Sequence, residues 1–411
     1  MPGRIGLKLG VKSKRLRPRR ARGSVAQLEV TMLRLSACLT AVLLTLSSGH
    51  LSLFAAQASA RAKEIYARAT DLESQGNHPA ALSLLWEAAG LAPENPDIQN
   101  RLGEALERMG ALDAAIDAFG RALAARPEFR KAANNLILTL VRAGRGPEAV
   151  ERARALVAAK PNDPDAHFTL GLAQSEQDVA EALKSFGRVL ELAPRHTLAR
   201  YNLALVLKRA DRLPEAIDQL TRAIEIEARP EAHYTLGVIY WHQGDLDRAA
   251  GALRAAIGSE SRYADAHYTL GAVLKAKRDW IGAAAALRRA ITLRPDLWGA
   301  HYTLGQVMQQ AGDEAAARRH LAEADRLRRR AQHEQEAGVW TTVGTKKLDG
   351  GELEAALDCF RRATSIHDAY APAYYQLGRV LQSLGRHDES RSAFTRAREL
   401  NPSLVPPGEP Q

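Results

Sequence analysis

The side chains of this sequence best suited to chemistry are the histidines His167, His233, His267 and His301, and the last three recur every 34 residues. Imidazole is both a common metal ligand and a general base near neutral pH, so such a row raises the question of a shared ion or a shared proton. The interval argues against it. One histidine per repeat sets successive rings about 8–10 Å apart, a helix-packing distance too long for one metal. The rings are read as packed side chains with one nitrogen hydrogen-bonded. There is no Gly-rich phosphate loop, no HExxH, no paired CxxC and no serine on a strand-to-helix elbow. Cys38 lies in an N-terminal segment read below as removable, which leaves Cys359, beside Phe360, as a small filler with no disulfide partner. The sequence therefore predicts no enzyme, no cofactor and no metal.

The elements that position these residues are read from the stretch Pro96 to Pro127, which repeats along the chain. Leu102, Leu106 and Met109 give a first helix one apolar stripe, and Gly103 removes a side chain where another helix comes close. Gly110 ends that helix. Ala115, Phe119 and Ala122 mark a small-large-small face of a second helix, with the Phe inserted between helices, and Pro127 stops it. This pattern resembles the tetratricopeptide repeat, W-x2-L-G-x2-Y, A-x3-F and P on a helix-turn-helix of 34 residues, although Gln99 stands for the Trp and Leu106 for the Tyr. The resemblance implies an all-α fold, a right-handed α-solenoid of about ten such units.

Repeats 1–8 are placed at 62–330 and repeats 9–10 at 337–403, with a helical insertion at 331–336 and a proline-rich tail at 404–411. The fourth repeat lacks one turn residue near Asp178, and the fifth has its terminal proline displaced to Pro230. Repeats six to eight share the phrase Ala-His-Tyr-Thr-Leu-Gly at 232–237, 266–271 and 300–305. After the eighth the register slips by five residues, with no Gly or Pro from Glu314 to Ala337. The second helix of that repeat is expected to run on by roughly 7 Å. Arg328, Arg329 and Arg330 are read as a solvated face, because Glu334 and Glu336 follow. Ser390, in the slot of a second-helix Ala, is expected to make the last repeat more polar, as a terminal unit requires.

The net charge of +10 suggests nucleic acid until it is located. Residues 1–34 carry ten Lys or Arg and one acid, a net of +9, so the repeats are nearly neutral and no nucleic-acid partner is expected. Residues 1–31 read as a basic leader, outside translation if Met32 is the true start, and 32–60 as a signal peptide. Its apolar run is Leu35 to Leu46, and Ala58-Ser59-Ala60 supplies the small-x-small cleavage pattern. The alternative is an anchor over 35–56, the one expected contact with a membrane. Either reading places the repeats outside the cytoplasm, in the periplasm or beyond.

An aromatic series, Phe168, Tyr201, Tyr234, Tyr268 and Tyr302, occupies one first-helix slot in five successive repeats, and Trp241 lies on the same helical face as Tyr234. The resemblance implies that this slot faces a concave groove. Tyr and Trp offer large contact area at little entropic cost, so these six are the candidate partner-binding residues, although a Tyr here also packs on the adjacent first helix. The slots that in the family form a Lys-Asn-Arg two-carboxylate clamp hold Tyr, Leu, Val and Thr, which disfavours that function. The expected role is a non-enzymatic scaffold of a bacterial cell envelope that binds an extended peptide or assembly partner. The alternatives are a structural spacer or oligomerising solenoid, and a companion of polysaccharide export.

Overall fold

A computed structural model describes residues 57–401 and Leu404; the leader 1–31, the export segment up to residue 56 and the tail beyond Leu404 lie outside the described residues. All regular structure among the described residues is helical, and no described helix is long and apolar enough to cross a membrane. The chain divides into two compact units, Met1–Ala105 with Arg121–Pro127, and Leu106–Gly120 with Glu128–Gln411.

The described part of the first unit holds α1 (57–74), α2 (His78–Leu91) and most of α3 (Pro96–Arg108). Ala62, Ile65, Ala69, Ala81, Leu85 and Ala88 are buried. The Asn77 side chain caps α2 by accepting from the Ala80 amide, and Pro79 follows in the first turn, where a missing N–H costs nothing. Arg101 joins α3 to α1 through Glu73 at 2.6 Å.

After α4 (Leu112–Ala125), the second unit continues as helix pairs. These are α5 (Arg130–Arg142) with α6 (Gly146–Ala159), α7 (Pro164–Gln174) with α8 (Val179–Leu192), and α9 (Thr197–Arg209) with α10 (Leu213–Ile226). Then come α11 (Pro230–His242) with α12 (Leu246–Ser259), α13 (Ala264–Ala276) with α14 (Trp280–Leu293), and α15 (Trp298–Gln310) with α16 (Glu314–Asp349). The last are α17 (Leu353–Ile366), α18 (Ala371–Ser383) and α19 (His387–Leu400). Three turns between paired helices combine a left-handed residue with an Asp cap, at Gly244–Asp245, Arg278–Asp279 and Gly312–Asp313: Gly244 at φ 78° precedes Asp245, whose carboxylate accepts from the Arg248 amide at 3.0 Å.

Where the first helix carries a glycine after its slot leucine or valine, the pair closes around one contact. A Cβ added at Gly171 would lie 2.7 Å from Phe186 Cε1, one at Gly271 2.5 Å from Leu287 Cγ, and one at Gly344 2.6 Å from Phe360 Cε1. The first-helix glycine is thus the seat of the large second-helix side chain of its own repeat. Successive first helices also pack on one another, α5 on α7, α11 on α13 and α13 on α15, while successive second helices do not to that extent. The first helices therefore form the inner wall of this unit.

Two local expectations are revised. Ser390 is buried and its hydroxyl donates to the Gly378 carbonyl at 2.8 Å, so it contributes no surface polarity. The helix after the eighth repeat does not simply run on: α16 spans 36 residues and continues through Trp340 and Gly344, so the second helix of one repeat and the first of the next are a single rod. Without Gly or Pro at the junction, each added residue gains a backbone hydrogen bond, whereas a turn would forfeit several.

Candidate functional site

The inner wall carries the six aromatics in unlike environments. Phe168 on α7 is half-buried, its ring centroid 5.9 Å from Phe186 and 5.0 Å from His196. Tyr201 on α9 packs against the buried cluster of Ala204, Leu207 and Leu220. Tyr234 on α11 lies 5.2 Å, centroid to centroid, from Tyr263, whose phenol is pushed up to about 12, chiefly by burial and then by the neighbouring phenols Tyr234 and Tyr201. Tyr268 on α13 covers Gly299 of α15, where a Cβ would sit 3.0 Å from its hydroxyl. Trp241 and Tyr302, by contrast, are 36% and 47% exposed. The slot combines rings wedged between repeats with rings open to solvent.

The histidine row performs a backbone task. His167, His267 and His301 point Nε2 at the carbonyls of Pro161, Ser261 and Pro295, six residues earlier, at 2.9, 3.1 and 3.2 Å. Gln99 and Arg200, in the same slot, donate to the Pro93 and Pro194 carbonyls at 3.0 and 2.7 Å. Each of these carbonyls lies just past the C-cap of the preceding helix, and the polar slot supplies it with a donor across the turn between repeats. A carbonyl only accepts, so each ring nitrogen facing one carries its proton there. The ninth repeat has Trp340 in this slot, and its ring instead carries the Arg362 guanidinium 4.0 Å from its centroid.

His233 departs from the pattern because the proline of its linker is displaced to Pro230, leaving Glu227 six residues back. It borders a concavity of about 640 Å³ between α10, α11 and α12, with Ile224, Leu236, Tyr240 and Arg248. Burial holds its imidazole below the ordinary value. The Arg248 guanidinium lies 5.1 Å from the Tyr240 ring centroid. Sequence reasoning missed this recess; its signal was the displaced proline of a linker in which the Glu227 carbonyl accepts from the Arg229 amide at 2.8 Å. Among the described residues, no three His, Cys, Asp or Glu side chains gather as a metal site.

Family models described as tetratricopeptide repeat match residues 66–128, 225–266 and 234–297. Others with the same description match 108–170 and 173–239, 298–323, and 371–404. Among solved structures, a tetratricopeptide repeat protein from Parabacteroides merdae is 19% identical over 60% of this chain and 98% of its own, with a TM-score of 0.48. MamA from Desulfovibrio magneticus is 24% identical over 41% of this chain and 95% of its own, TM-score 0.36. YrrB, described as having an unusual peptide-binding site, is 25% identical over 40% of this chain and 85% of its own, TM-score 0.32.

Proposed function

We propose, from the premise that the chain belongs to the tetratricopeptide repeat family, that it is a non-enzymatic scaffold taking an extended polypeptide along the inner wall of its first helices. The observation that carries this reading is Trp241, a large aromatic left 36% exposed on α11, beside a wall on which Phe168, Tyr201, Tyr234 and Tyr268 are half-buried. A rigid indole on a pre-ordered surface loses little entropy when covered, which is what a binding anchor requires. The uncharged segment ending in Ala58-Ser59-Ala60 supports export, so the partner is sought in the cell envelope. The spacer reading is favoured by the packing of Phe168, Tyr234 and Tyr268 between repeats, and it predicts no peptide ligand.

A displayed library of random linear peptides, selected on the purified protein, separates the two readings. Enriched peptides should lose about 30-fold in affinity on Trp241→Ala, the equivalent of about 2 kcal/mol for an aromatic anchor, at unchanged helicity. A library that yields no binder, or binders indifferent to the substitution, would remove the groove from consideration.

A further inference from the structure

The geometry points to a dimer in which two copies pair antiparallel along α16, each lending its repeats 9–10 to complete the wall left open after repeat 8 of the other. The open junction is visible on both sides. At one slot of the inner wall Tyr201, Tyr234 and Tyr268 are half-buried, whereas Tyr302 is 47% exposed and Trp298, one turn before it, 44%. Tyr268 is covered because α15 follows it; no first helix follows Tyr302, since that helix has become the far half of α16. Leu321 is also only half-buried, although its counterparts Leu253 and Leu287 are fully buried. On the far half of α16, Val339 and Val343 are 57% and 38% exposed. Between the two packed halves, residues 328–336 are exposed on every side, so nothing among the described residues bridges them.

The occupant is specified by the order of residues on one face of α16. At about 100° per residue, Leu321, Asp325, Arg328, Gln332, Glu336, Val339 and Val343 fall within about 80° of one another, one continuous stripe in which Asp325 holds Arg328 of its own chain at 2.9 Å. The stripe maps onto itself about Gln332. In an antiparallel copy centred there, Leu321 meets Val343, Arg328 meets Glu336, Gln332 meets itself, and Asp325, paired with Arg328 of its own chain, lies across from Val339. That is what a two-fold interface demands, and the opposed charges fix the register. In this arrangement the partner copy's Val339 and Val343 run antiparallel to the first half of α16, the course a first helix takes after a second helix elsewhere in the stack. They come to the wall beside Trp298 and Tyr302. The junction is the same kind as that between α13 and α15, where Tyr268 lies on Gly299 and Lys275 donates to Gln306 at 2.8 Å. A hinge straightened into a helix, with the C-terminal module exchanged, is a low-cost route to such a dimer.

Light scattering on the full-length protein should give the mass of two chains, and the double variant Val339→Asp with Val343→Asp the mass of one, at unchanged helicity. The same loss should follow Trp298→Ser with Tyr302→Asp. Mixing the two double variants should restore part of the dimer, because one of its two junctions is then wild type. In a Cys38→Ser background with Cys359 buried, Gln332→Cys should oxidise to a covalent dimer, while Arg330→Cys, on the opposite face, should not. A single-chain mass for the wild type at tens of micromolar would overturn the inference. So would a dimer that survives both double variants, a mixture no more dimeric than its parts, or equal cross-linking through both cysteines.

Discussion

His301 and His320 face one another Nδ1 to Nδ1 at 3.2 Å, on the paired helices α15 and α16. Because His301 Nε2 donates to the Pro295 carbonyl, its Nδ1 accepts in the neutral ring and His320 donates its Nδ1 proton. Burial holds His320 below the ordinary imidazole value, helped by His301, Arg288 and Arg319. The neutral ring is thus the folded form, and the unfolded chain takes up its proton first as pH falls below about 6.5. The stability this supplies is present above that value and is lost as pH falls through the lower folded value. Melting temperatures compared between about pH 7.5 and about pH 5.5 should drop further for the wild type than for His320→Gln, which keeps a hydrogen-bonding group without the titration. Equal drops would show that this pair does not set the acid limb.

Phe186 seated on Gly171 predicts a local failure. Phe186→Ala should cost about 3–5 kcal/mol, as other buried Phe truncations do. In a stack where each repeat touches its neighbours, hydrogen-exchange protection should fall first in α7 to α9 and later in α17 to α19. Uniform loss along the unit would contradict that locality.

Arg278 occupies, at φ 65°, the turn position that most other repeats give to glycine and the fifth gives to Asp211. A left-handed residue with a Cβ costs roughly 1–2 kcal/mol, and glycine returns part of that through the entropy of the unfolded chain. Arg278→Gly should therefore stabilise by about 0.5–1 kcal/mol, read as a higher urea midpoint at unchanged slope. A lower midpoint would mean that the long side chain contributes more than its backbone costs.

Gly271→Ala tests the opposite use of glycine. Its added methyl would meet Leu287 Cγ at 2.5 Å, inside contact distance and against a side chain with nowhere to move. A loss of about 1–3 kcal/mol is expected, with part of it relieved when Leu287→Ala is added, so that the two changes are not additive. Strict additivity in a double-mutant cycle would separate the two residues energetically.

Export predicts a mature N-terminus at Arg61, after Ala58-Ser59-Ala60. Intact-mass measurement of the protein recovered from its host checks this, and a soluble cytoplasmic product beginning at Met1 would discard the export reading.

The first-helix glycines, the turn glycines and the helix-ending prolines were legible before any coordinates because they are local rules, whereas the seating of Phe186 or Leu287 on the glycine of its own repeat was decided by packing. A left-handed φ, a missing Cβ and a missing N–H act within one repeat, and a fixed period writes them out again in each. The polar slot before each Leu-Gly was visible as a departure from Trp, but its partner was not, since only the folded turn aims the Pro161, Pro194 and Pro295 carbonyls back at it. Ser390 looked like a surface residue and is buried, because polarity sets what a buried group must find and not where it sits: its hydroxyl found the Gly378 carbonyl. Tyr268 and Tyr302 mark the limit most clearly. They share a residue type, a slot and a six-residue phrase, yet one is covered by Gly299 of the next first helix and the other stands open where α16 runs on. Burial belongs to a residue's neighbours in space, and those were decided by whether one helix turned or continued.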